Sequence, residues 1–267
     1  MKDVYIITGA TGGMGIDTAK KFKEKGQLIL CDLDEEKLNA LKEELGDVSV
    51  LKCDITKDED INKLKVLAST MGPLKGVIHY AGVAGEFGDA DKVMEINLIG
   101  TAKLMEALYD LLAEGSVFIN TSSMAAYMAP TIPEMTPLLS NPLEDGFLDK
   151  IKMFTNGSPD AAYSFSKQGV ILITKNNAGK FGAKKARLIS VSPGTIETPM
   201  LERQIEVNGD AINGLIGAAP VGRVGYPEDI TNLVEFLCSD KASFITGMDI
   251  LIDGGVTSVF SQMKKGE

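Results

Sequence analysis

Short apolar runs rich in β-branched residues alternate with segments of helical period along almost the whole chain, and this alternation does most to narrow the fold. Strands are predicted over 3–8, 27–31, 48–52, 75–79, 115–121, 186–191 and 248–252. Helices are predicted over 14–25, 34–45, 58–71, 97–113, 160–181 and 227–239. A strand, a crossover helix and a further strand can share a sheet only if the strands run parallel, with helices packed on both faces. The expected architecture is therefore α/β: one doubly wound seven-stranded parallel sheet forming a single domain over 1–267, with no dividing linker. Ligands in such sheets bind beyond the C-terminal ends of the strands.

Two segments break the alternation there, 128–158 after the fifth strand and 200–222 after the sixth. The first places Leu143, Phe147, Leu148, Ile151 and Phe154 at helical spacing. That stripe must be covered by its own domain, a second subunit or a bound apolar ligand. The second sets Met200, Leu201, Ile205, Val207, Ile212, Leu215 and Ile216 among Gly209, Gly214 and Gly217. It reads as a substrate lid or as a plain surface helix.

Composition removes several functions. With 44% apolar and 24% charged residues the chain can bury a full core. A net charge of −10 repels nucleic acid and anionic membrane, so neither is an expected partner. Cys31, Cys53 and Cys238 are scattered and odd in number, and His79 is the only histidine, so no metal site or histidine-based triad is expected. No apolar run reaches the roughly 20 residues a membrane span needs, and the first strand starts almost at Met1, so a cytoplasmic protein without a signal peptide is expected.

The chemistry lies in two motifs. KDVYIITGATGGMG reads as a buried strand, a glycine turn and a helix, the arrangement that lets a diphosphate approach the backbone at a helix N-terminus. Gly9, Gly13 and Gly15 fit TGxxxGxG, while Gly9, Gly12 and Gly15 fit TGxxGxxG. Farther on, Tyr163 and Lys167 stand four residues apart in AAYSFSKQGV, about forty residues after the Ser122–Ser123 pair. That spacing puts phenol and ammonium on one helical face, where a cation favours the phenolate. Asp32 ends the second strand and can accept both adenosine ribose hydroxyls, whereas a 2′-phosphate would be repelled. Thr11 and Leu33 beside it offer no cation, so NAD(H) is expected over NADP(H).

With these motifs in this order, the chain resembles the short-chain dehydrogenase/reductase family, in its shorter single-domain branch with a Rossmann sheet, from the first strand to about Gly255. The resemblance implies a diphosphate turn that includes Gly9, Thr11, Gly13, Met14 and Gly15, with Asp32 and Leu33 at the adenosine ribose. It implies an adenine contact from Asp54 with Ile55 in KCDIT, and ribose packing by Ala81 and Gly82. The family's usual Asn-Asn-Ala-Gly is here His79, Tyr80, Ala81 and Gly82, a departure that falls on a structural hydrogen bond. Asn97 matches the family's active-site asparagine, whose side chain helps fix a water in a proton relay through Lys167. Ser123, rather than Ser122, matches the catalytic serine, Tyr163 the acid–base and Lys167 the residue that lowers the Tyr163 pKa and holds the nicotinamide ribose. Pro193, Gly194, Ile196 and Thr198 resemble the segment that orients the carboxamide.

The implied reaction interconverts a secondary alcohol and a ketone with NAD. The long spacing from Ser123 to Tyr163, ETPML and the near-terminal IDGG resemble bacterial 3α-hydroxysteroid dehydrogenase/carbonyl reductases, which implies a hydroxysteroid or bile acid as substrate. Carbonyl, 3-oxoacyl or sugar-alcohol reduction is the alternative within the family, and a nonenzymatic dinucleotide-sensing regulator the alternative outside it. A sugar epimerase or dehydratase would need a longer C-terminal domain. A homo-oligomer is implied, dimer or tetramer, and an insertion that blocks one flank would favour the dimer.

Overall fold

In the computed structural model, which describes residues 2–266, seven parallel strands form one sheet in the order β3-β2-β1-β4-β5-β6-β7. They are β1 (Val4–Thr8), β2 (Gln27–Asp32), β3 (Ser49–Lys52), β4 (Leu74–His79), β5 (Leu112–Thr121), β6 (Arg187–Pro193) and β7 (Met248–Ile252). Alternate side chains of a strand face opposite ways, so each face builds its own core. Val4, Ile6, Val77, Phe118 and Leu188 enter one; Tyr5, Ile7, Ile78, Ile119 and Ile189 enter the other.

Helices α1 (Gly13–Phe22) and α2 (Glu35–Leu45) cover the second face, and α3 (Asp58–Met71), α4 (Ala90–Met94) and α5 (Thr101–Leu108) the first. Asp34 caps α2 by accepting the Lys37 N–H at 3.0 Å, and Asp89 caps α4 from Lys92 at 3.0 Å. The helix predicted over 97–113 is longer toward its start and shorter toward its end. It begins at α4, passes through a π-helical turn (Glu95–Gly100) and ends with a 3₁₀ turn (Tyr109–Leu111). Leu112 pairs with Leu74 of β4, so long-range pairing overrides the helical preference of that stretch.

The insertion folds as α6 (Ala125–Met128), α7 (Thr136–Ser140) and α8 (Phe147–Thr155), leading into α9 (Pro159–Gly182). Its own chain covers its apolar stripe. Phe147 and Ile151 are buried in the first core with Met135 and Leu139, and Leu148 and Phe154 pack against it. Leu143 is the exception, at 43% exposed. Lys152 pairs with Asp91 at 3.0 Å, fastening α8 to α4. Beyond β6, α10 (Pro199–Gly217) is broken at Asn208 (φ −147, ψ 53). Then α11 (Pro227–Leu237) returns to the second face, and α12 (Val256–Gly266) follows β7. No helix among the described residues is long and apolar enough to cross a membrane.

Candidate active site

The strand order reverses between β1 and β4, and the glycine turn leaving β1 lies at that point. Gly9 has φ +65, and a Cβ there would lie 2.7 Å from the Ala81 nitrogen. A Cβ on Gly15 would collide with the Gly9 carbonyl oxygen, and one on Gly13 would lie 2.8 Å from Thr198 Cγ2. At Gly12 the nearest atom would be 3.3 Å away. The TGxxxGxG glycines are thus the ones whose missing side chains the packing requires. Gly12 caps α1 without a side-chain bond and no acid occupies the first turn, so the helix N-terminus keeps free N–H groups for an anion.

A groove of about 570 Å³ runs from this turn, with Thr11 and Met14 in its wall, past Asp32 and Leu33 to Asp54 and Ile55, and along Ala81 and Gly82. Asp32 accepts the Thr11 N–H at 2.9 Å and the Leu33 N–H at 2.7 Å, which fixes its carboxylate at the end of β2. Burial raises the Asp54 pKa, but the Thr56 hydroxyl and N–H, at 2.7 and 3.0 Å, and Lys57 outweigh it and hold the carboxyl below its ordinary range. The absence of cations expected from Thr11 and Leu33 is corrected here, because Lys37 and Arg203 both line the groove. Lys37 reaches it from the first turn of α2 and pairs with Asp34 at 3.0 Å.

A second cavity of about 240 Å³ contains Ser123, Tyr163, Lys167, Pro193, Gly194, Ile196 and Thr198. Met14, Tyr80, Gly82, Val83, Thr198 and Met200 line both spaces, so the two meet. Ser122 also lines this cavity, but its hydroxyl is engaged, donating to the Lys167 carbonyl at 2.8 Å, while Ser123 accepts the Ala125 N–H at 3.1 Å. Ser158 caps α9 with Pro159 in its first turn, and the following turns bring Tyr163 and Lys167 to the cavity. The Lys167 ammonium donates to the Thr121 carbonyl at 3.0 Å and lies 5.8 Å from the Tyr163 ring centre.

Electrostatically the pair differs from the expectation. Burial pushes the Tyr163 phenol above its ordinary 10, the Ser123 hydroxyl pulls it down, and the Glu86 carboxylate pushes it up again. Burial also lowers Lys167 to about 8. Within the protein alone the balance of these groups therefore favours the phenol form of Tyr163. Glu86 sits on a 3₁₀ turn (Gly85–Phe87) with no motif to mark it, and the sequence reading missed it.

Asn97 lies in the π-helical turn with its amide fully engaged. Its Oδ1 accepts the Val83 N–H at 2.9 Å, and its Nδ2 donates to the Val83 carbonyl at 2.8 Å and to Ser166 Oγ at 3.2 Å. The same side chain clamps the segment after β4. His79 replaces the family's asparagine with a directional chain of bonds. The Thr101 hydroxyl donates to the Asn97 carbonyl at 2.6 Å, so its oxygen accepts from His79 Nε2–H at 2.9 Å, and Nδ1 accepts the Thr8 hydroxyl at 2.6 Å. The Ala81 N–H donates to Thr8 Oγ1 at 3.3 Å. Burial, with the Lys167 charge nearby, lowers the imidazole to about 3. Both ends of this chain are backbone amides, so it transmits position and no net proton.

A phosphate-accepting turn opening onto a Ser-Tyr-Lys cluster, with Ser123 and Lys167 buried and Tyr163 partly so, is the layout of a dinucleotide-dependent oxidoreductase. The chain belongs to the short-chain dehydrogenase/reductase family. Residues 3–133 match the family model described as short chain dehydrogenase and residues 150–257 the one described as enoyl-(acyl carrier protein) reductase. It is 30% identical to the short-chain dehydrogenase/reductase aba4 of Botryotinia fuckeliana, over 94% of this chain and 95% of that one. It is 28% identical to a cyclohexanol dehydrogenase of an Acinetobacter species, over 96% and 95%. Among solved structures it resembles a Brucella melitensis protein titled short-chain dehydrogenase/reductase, glucose/ribitol dehydrogenase. That match has a TM-score of 0.77 at 28% identity, over 95% of this chain and 96% of that one. The chain is thus an oxidoreductase for alcohol- or ketone-type substrates, in a family that works with nicotinamide dinucleotides.

Proposed function

We propose that the protein is an NAD(H)-dependent alcohol dehydrogenase/carbonyl reductase, cytoplasmic, working as one catalytic domain over 1–267 with Tyr163 as its acid–base residue. The observation that carries this is the placement of Ser123, Tyr163 and Lys167 where the substrate cavity opens into the dinucleotide groove. The glycine turn and uncapped α1 N-terminus suit a diphosphate, and Asp32 at the far end suits a ribose diol.

The nicotinamide, when bound, supplies or takes the hydride. Tyr163 gives its proton to the carbonyl oxygen in reduction and takes the hydroxyl proton in oxidation. Its raised pKa favours the phenol, the form reduction needs. The Ser123 hydroxyl donates to the substrate oxygen, and Lys167 is placed to hold ribose hydroxyls. Asn97 acts by fixing Val83, which lines both spaces. NAD(H) is favoured over NADP(H) because the Asp32 carboxylate opposes a 2′-phosphate, and Lys37 is engaged by Asp34.

For the substrate we favour a bulky apolar ring alcohol or ketone, with a hydroxysteroid or bile acid as the leading candidate. Met124, Met128, Met200, Leu201, Ile212 and Leu215 in the cavity wall support it, and one relative is named for an apolar cyclic alcohol. A sugar alcohol is the second reading, supported by the structural relative described as a glucose/ribitol dehydrogenase and by Gln204 and Thr195 in the same wall.

The deciding experiment is Tyr163→Phe. Turnover should fall by about 100-fold or more, while the fluorescence titration with NADH stays unchanged. Near wild-type turnover in this variant would remove the assignment. A panel of ketosteroids, cyclic ketones and ketoses followed by NADH absorbance then separates the two substrate readings.

A further inference from the structure

The cavity around Tyr163, about 240 Å³, is smaller than the roughly 300 Å³ at which pockets for drug-sized ligands begin. A separate cavity of about 160 Å³ lies against it. Gly194, Thr195, Ile196 and Leu215 line both, so these four residues are the partition. Beyond it the wall is largely apolar, with Ile216, Ala219, Val221, Val224, Ile252 and Val256. Its charged groups are already engaged. Arg223 and Asp229 form a two-pronged pair at 2.7 and 2.8 Å, and Asp253 accepts the Gly255 and Thr257 N–H groups at 2.8 Å. No charge is left there to select an ionic ligand.

We infer that this second cavity is the far half of the substrate site, receiving the distal rings or chain of an extended apolar ketone or alcohol whose reacting carbon lies at Tyr163. The inference rests on the oxidoreductase reading above and adds the shape of its substrate. Three of the four partition residues are fixed by backbone pairing: Gly194 N–H to the Ile252 carbonyl at 2.9 Å, Gly225 N–H to the Thr195 carbonyl at 2.9 Å, and Ile196 bridged to Gly225. The fourth, Leu215, comes from the part of α10 beyond the break at Asn208. Leu215 is thus the one partition residue contributed by a helix rather than held by pairing between strand-end segments. A small cyclic ketone fits the first cavity alone, whereas a molecule several rings long needs both.

Ala219 lines the far cavity and not the near one, so Ala219→Phe fills the far cavity without touching the near one. KM is measured for cyclohexanone and for a tetracyclic 3-ketosteroid, with calorimetric binding of that ketosteroid to the NAD⁺ complex and an NADH titration as controls of occupancy and folding. The ketosteroid KM should rise about tenfold or more, its binding should weaken in step, and cyclohexanone and NADH should be unaffected; Ala219→Val should be intermediate. Equal responses of both ketones, or none from the ketosteroid, overturn the inference. A wild type that binds NADH and reduces cyclohexanone but not the ketosteroid also overturns it and leaves the oxidoreductase reading standing. Binding of NADH without reduction of either ketone overturns both.

Discussion

At the scale of single residues, the pKa of Tyr163 is set by opposing influences and can be moved. Glu86 raises it, so Glu86→Gln should lower it. Alcohol oxidation, which needs the phenolate, should then rise at a lower pH than in the wild type. Rate-versus-pH profiles for oxidation check the direction; an unmoved profile would show that the carboxylate does not act on the phenol. Asp32→Asn removes a charge-assisted acceptor from the ribose end of the groove. Since such bonds contribute about 1.5–3 kcal/mol, kcat/KM with NAD⁺ should fall by about tenfold or more, while that with NADP⁺ falls less or rises. The sequence exposed Tyr163, Lys167, Ser123 and the glycines because each is tied to a local period or a strand end. Glu86, Lys37 and Arg203 were hidden because only the folded chain brings a 3₁₀ turn, the first turn of α2 and the start of α10 to the two cavities. The use of the Asn97 amide by Val83 was hidden for the same reason.

At the scale of elements, strand–helix alternation placed β7 and α3 at the predicted limits and most others within a few residues. It failed around 90–115, where capping by Asp89 starts the helix early and pairing of Leu112 with β4 ends it early. The insertion was readable as an apolar stripe but not as to its cover, since the faces of α4 and α9 that receive it are settled only in three dimensions. Its packing yields a prediction. Ile151 is fully buried, and Ile151→Ala should cost about 2–5 kcal/mol in urea unfolding without changing NADH affinity. A loss confined to turnover, with stability intact, would instead assign α8 to the active site. For α10 the two sequence readings converge: Met200, Leu201, Ile212 and Leu215 line the cavity around Tyr163, while Ile205 and Val207 are exposed.

At the scale of the molecule, α7 and α8 occupy a flank of α9 and α4 that would otherwise be open to a second copy. We therefore expect a dimer of the 28.5 kDa chain by light scattering, and a tetramer would contradict it. Global stability should also respond to acid through His79. The folded imidazole, near 3, refuses a proton that the unfolded chain accepts below about 6.5. The unfolded state thus binds more protons between those values, and stability should decline as pH falls through that window. His79→Gln should flatten that part of the curve. Because it is the sole histidine of 267 residues, its ring also offers an unambiguous spectroscopic label. Nitrogen NMR should record one neutral Nε2–H tautomer, silent to titration across the physiological range. Any sample in which that resonance begins to follow pH has lost the junction between the end of β1 and the turn that carries Asn97, whatever its circular dichroism says.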